Sequence, residues 1–95
     1  MKTLLKTLRH LERLQLSYKV ELQKLRIADA LIRLRSQRGL TQAALARKMR
    51  ISQSFIEKLE SAEAKNYDLK MLAELATALN SRLEVKFRPH RARAA

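Results

Sequence analysis

Ninety-five residues, 46% of them hydrophobic, suffice for one small domain and exclude a chain that is disordered throughout. Lys and Arg number 21 against 9 Asp and Glu, a net charge of +12, which suits a polyanion such as nucleic acid, where each neutralised phosphate releases counterions. The absence of Cys excludes a disulfide framework, a thiolate nucleophile and a Cys-based zinc site, and a single Gly cannot build a glycine-rich phosphate cradle.

The basic excess is spread along the chain: seven basic against two acidic residues over 1–26, ten against six over 27–82, and four against one over 83–95. The opening MKTLLKTLRHLERL has its Leu positions interrupted by Lys, Arg, His and Glu, so it does not read as a secretory signal, and no segment approaches membrane-spanning length. A cytoplasmic protein without membrane contact is expected.

From Lys2 to Arg38 there is neither Gly nor Pro. Leu4, Leu11, Tyr18, Leu25 and Ile32 recur every seven residues, with Leu8 and Leu22 at the intermediate position and Gln15 and Asp29 breaking that second row. This spacing supports one long amphipathic helix or two in series. A rival period of two runs through Leu14, Leu16, Tyr18, Val20 and Leu22, a strand signature. The dominance of Leu, Gln, Glu, Lys and Arg and the lack of turn residues favour helix. The Leu stripe serves as core or dimer packing, or as a docking arm for a partner protein.

Ile27–Arg38 reads as the first helix of a compact core, with Ala28, Leu31, Ile32 and Leu34 on its apolar face and Gly39 ending it in the left-handed conformation. Thr41 caps a helix Gln42–Met49, and Ser52 caps another that extends to Ser61. Leu45, Ala46, Met49, Ile51, Ile56 and Leu59 form the seam these two helices share, across a break of helical phase at residues 49–52. Two short helices joined by a tight turn over one apolar seam are a helix-turn-helix. Ala46 is small because the second helix crosses the first there.

Ala62–Asp68 is expected to be a loop, and Asp68 to cap a helix from Leu69 to about Asn80 with Leu72, Leu75, Ala76 and Leu79 inward. Leu83, Val85 and Phe87 then alternate with polar residues up to Pro89, which predicts a short strand. A lone strand needs a mate, and the simplest is the same strand of a second subunit about a two-fold axis. The tail carries Arg91 and Arg93, as a solvated tail or an arm reaching DNA. Three parts result: a basic amphipathic arm or helix over 1–24, a DNA-binding core over 25–82, and a dimerising strand with a basic tail over 83–95.

The outward side chains of the second motif helix, Gln53, Ser54, Glu57 and Lys58, are of types that read base edges. A Gln amide pairs bidentately with adenine, Lys reaches guanine acceptors or a phosphate, Ser packs on a thymine methyl, and Glu accepts from a cytosine amino group or pairs along its own helix. Gln42, in the first turn of its helix, is placed to hold a phosphate together with free backbone N–H groups. His10 and His90 lie in the two arms with no carboxylate or Cys constellation, and the Glu57, Glu60, Glu63 spacing is that of an ordinary solvated helix face. Neither an enzyme, a metal site nor a cofactor is expected.

LRSQRGLTQAALARKM, its continuation ISQSFIEKLE and the later LKMLAELATALN resemble the Xre family, the Cro and phage-repressor type of helix-turn-helix domain. Extended through SRLEVKF, with a basic segment ahead of the core, the chain is similar to HigA-type antitoxins. The resemblance implies an all-α fold of four or five helices with a terminal dimerising strand, homodimeric binding to a double-stranded operator, and repression of its own operon. It implies phosphate contact by Gln42, major-groove contact by Gln53, Ser54 and Lys58 from a helix opened by Ser52, a backbone grip by Ser61 and Lys65, and a structural ion pair between Arg35 and Glu60. A toxin is the protein partner it implies. The alternatives are a stand-alone phage or mobile-element repressor and a coiled-coil adaptor acting through Leu4 to Ile32. Arg50 in the turn and Ala62 after the second motif helix stand where the family commonly has Gly.

Overall fold

A computed structural model describes residues 2–90; the predicted basic tail at Arg91 and Arg93 lies outside the described residues. The order is α1 (Lys2–Gln37), α2 (Gln42–Met49), α3 (Gln53–Glu60) and α4 (Leu69–Ala78). The fold is all-helical, as expected, and the period-two pattern over residues 14–22 loses to the helix. A strand there would have no sheet to join, whereas the helix satisfies its own backbone. Of the two expected arrangements, one long helix or two in series, the chain forms the first, a continuous helix of 36 residues whose length accounts for the 56 Å long axis of the chain.

Local chemistry sets the boundaries. Gly39 follows α1 at φ +67°, and Arg38 and Gly39 close the helix end by donating to the carbonyls of Leu34 and Ser36. The Thr41 hydroxyl accepts from the Ala44 amide at 3.0 Å, Ser52 from Phe55 at 3.1 Å and the Asp68 carboxylate from Met71 at 2.8 Å, so α2, α3 and α4 each start on a side-chain cap. Three turns among the described residues pass through the left-handed region without glycine: Arg50 at φ 58° between α2 and α3, Ala62 at φ 63° after α3, and Asn80 at φ 53° after α4.

The core lies where the C-terminal third of α1 meets the other three helices. Leu45, Ile56, Leu59, Leu75 and Leu79 are its fully buried large side chains, closed off by Leu31, Ala46 and Ala64. Each of the large ones contributes on the order of 1.5–3 kcal/mol. Ala46 is buried, as a helix crossing requires. Ile32 is a correction: it is 39% exposed on the side of α1 away from the core. Ala64 and Tyr67 fix the loop after α3, with the Tyr67 hydroxyl donating to the Leu59 carbonyl at 2.8 Å. Arg38 ties the ends of α1 and α4 together by donating to the Leu79 carbonyl at 2.8 Å and the Asn80 carbonyl at 3.2 Å.

The predicted strand at Leu83, Val85 and Phe87 is not formed, and no strand occurs among the described residues. The alternation there is genuine, but within one chain no second segment offers the amides and carbonyls a ladder needs. Phe87 is almost wholly exposed, and Val85 is exposed with it.

Candidate nucleic-acid interface

Helix α3 has two faces of opposite character. Ile56 and Leu59 point into the core and are no more than 1% exposed. Gln53, Ser54, Glu57 and Lys58 point the other way and are exposed, as are Ser52 and Ser61 at the two caps. The inward face anchors the helix against α1 and α2. The outward face is left to solvent, clear of the rest of the described chain.

The anchoring is electrostatic as well as apolar. Arg35 of α1 reaches Glu60, the last residue of α3, with Nε donating to Oε2 at 2.6 Å and Nη2 to Oε1 at 2.9 Å. Its remaining nitrogen, Nη1, donates to the Leu40 carbonyl at 2.9 Å. The hydrogen bond to Glu60 raises the pKa of the guanidinium above its ordinary value, with burial opposing it. The Glu60 carboxylate also accepts from Gln42 Nε2 at 3.0 Å. One carboxylate thus joins α1, the start of α2 and the end of α3.

The structure brings Gln42 to the edge of this network, half-buried, with its amide nitrogen turned to Glu60. Along α3, Gln53 Nε2 lies 3.4 Å from Glu57 Oε1, a weak contact between two exposed side chains one turn apart. Ser61 donates to the Lys58 carbonyl at 3.3 Å. The Lys58 ammonium has no ion-pair partner among the described residues, and Lys65 is exposed in the loop beyond. Three exposed cations that sequence reasoning passed over, Arg47, Lys48 and Arg50, cluster at the end of α2 and in the turn before α3. Their signal was the motif turn itself, the point at which the chain is closest to α3's start.

His10 is exposed on α1 and His90 near the chain's end. Among the described residues, no group of three or more His, Cys, Asp or Glu side chains is placed to hold a metal, and no helix is long and apolar enough to cross a membrane.

An anchored helix offering polar and cationic side chains beyond a tight turn from its partner defines a helix-turn-helix DNA-binding unit. A family model described as Helix-turn-helix domain matches residues 26–84, well over half of the sequence, and the chain belongs to that family. No curated protein and no solved structure matches it.

Proposed function

We propose that this protein is a sequence-specific transcriptional repressor that inserts α3 into the major groove of an operator. The observation that carries this reading is the division of α3 into a buried anchoring face and an exposed face holding Gln53, Ser54, Glu57 and Lys58. Gln53 reads a base edge, Lys58 a guanine or a phosphate, and Lys65 with Ser61 holds the backbone as α3 leaves the groove. Gln42 keeps its amide oxygen for a backbone contact while its nitrogen is held by Glu60. The protein acts as a homodimer in the cytoplasm on two half-sites about 34 Å apart.

The narrower role is the autorepressing antitoxin of a type II toxin–antitoxin operon. It rests on the Xre-like helical core and the basic segment ahead of it; the unformed strand at 83–87 lends it nothing. A stand-alone phage or mobile-element repressor is the alternative. A neighbouring gene for a small basic toxin favours the first role, and a divergent phage promoter favours the second.

Selection of bound sequences from random DNA tests the repressor reading. A two-fold symmetric consensus is expected, and a Gln53→Ala variant should lose preference at one base pair of each half-site. Recovery of unbiased DNA would overturn it.

A further inference from the structure

The first half of α1 packs against no other element among the described residues. Every residue from Thr3 to Glu21 is exposed, and Leu4, Leu11, Tyr18 and Leu25 retain between 50% and 69% of their surface. In proteins most helical stability comes from packing of an apolar face rather than from propensity, and this arm has no such packing within the described chain. The head packs onto α1 through Ile27, Leu31 and Leu34, while Leu25 and Ile32 of the seven-residue series look out from another side. The apolar seam is therefore separate from the head and is exposed along its length except at Leu22, which is half-buried.

We infer that this seam is the dimer interface: α1 of two copies forms a parallel, in-register, two-stranded coiled coil over residues 4–26. This rests on the dimeric half of the proposed function and is independent of DNA contact. Leu4, Leu8, Leu11, Tyr18, Leu22 and Leu25, with Gln15 between Leu11 and Tyr18, alternate by four and three, the spacing of a coiled-coil core. Leu5 and Leu14 flank them and widen the seam. Eight such side chains, fully covered, supply roughly 500–900 Å² per partner, the scale of a specific interface at about 800 Å².

Two features select the second copy and its direction. Gln15 occupies a core position in an otherwise apolar run; parallel and in register it meets its own copy, amide to amide, and a polar core residue of this kind sets register and strand number. Glu21 and Arg26 flank the core on opposite sides, five positions apart, and in a parallel pair Glu21 of each helix faces the partner's Arg26. Lys6, Arg9 and Arg13, spaced by three and four on a different face, stay in solvent. Asp29, the next core position, would meet its own copy as a like charge, so the seam ends before it.

The chain has no Cys, so a single introduced thiol reports cleanly. Oxidation of full-length Gln15→Cys should give a disulfide-linked dimer, while Arg13→Cys, on the outer face, should stay mostly unlinked. Sedimentation of the wild type should show a dimer, and Leu11→Glu should weaken it by more than about tenfold. A Val85→Ser, Phe87→Ser double variant should remain dimeric. Four results would overturn the assignment: a monomeric wild type, with or without binding to anionic phospholipid vesicles through the basic amphipathic arm; failure of Gln15→Cys to link to itself; linking of a Leu8→Cys chain to a Leu25→Cys chain, as an antiparallel pair requires; or dissociation by the Val85 and Phe87 changes. Each is read without DNA, so a failure here leaves the operator reading standing.

Discussion

Arg35 and Glu60, 25 positions apart, meet in a two-pronged ion pair whose carboxylate also accepts from Gln42. The Glu60 side chain is 5% exposed and that of Arg35 17%, so the pair is held largely away from water. A guanidinium does not deprotonate to escape the loss of its partner. Glu60→Ala should therefore cost roughly 3 kcal/mol, the lower end of the range for breaking a buried pair. The urea midpoint measures it. The preferred base sequence of the folded fraction should not change, because Glu60 is not on the outward face.

Gln53→Ala should cost on the order of 1–3 kcal/mol at the cognate site and relax preference at one base pair. Lys65→Ala should weaken cognate and random DNA about equally and reduce the salt slope by about one. Titrations at several salt concentrations separate the two. Intact sequence preference in Gln53→Ala would remove it as the reader.

Ser52→Ala removes the hydroxyl that accepts from the Phe55 amide at the start of α3. A loss of about 1 kcal/mol is expected, read as a lower denaturation midpoint. In the proposed docking this amide end faces DNA, so affinity should fall with it.

The elements that could be read from the sequence are those with local causes. Thr41, Ser52 and Asp68 cap helices because a short polar side chain reaches an amide three residues on, and Gly39 stops α1 through its own backbone freedom. The outward face of α3 followed from the apolar spacing of Ile56 and Leu59. Pairings between distant side chains and carbonyls, such as Arg38 with Leu79 or Tyr67 with Leu59, leave no periodic trace. The Arg35–Glu60 pair came from resemblance, since nothing local links α1 to the end of α3. Alternation at Leu83, Val85 and Phe87 describes a segment that would fit a sheet, but whether a mate exists is not a property of those residues.

Ala62 sits at φ 63° without the freedom of glycine. Relief of a left-handed alanine is worth about 1–2 kcal/mol, offset by glycine's larger entropy loss of about 0.5–1 kcal/mol. Ala62→Gly should thus stabilise by about 0.5–1 kcal/mol and raise the melting temperature by a few degrees. Arg50→Gly should gain similarly, with loss of one exposed cation beside α3.

Tyr67 gives the fold a dependence on alkaline pH. Burial pushes its phenol above the ordinary value of 10.0, so the native chain keeps a proton that the unfolded chain has already released. The contribution is complete below pH 10 and is lost as pH rises through the raised native value, because the unfolded state then binds fewer protons. Tyr67→Phe should cost about 1 kcal/mol at neutral pH, the worth of the hydrogen bond to Leu59, and should lose less stability than the wild type as pH rises above the ordinary phenol value of 10.0. Comparing the two in urea at each pH cancels the background from Lys titration. Parallel curves for the two proteins would show that the phenol is not held in its protonated form by the fold.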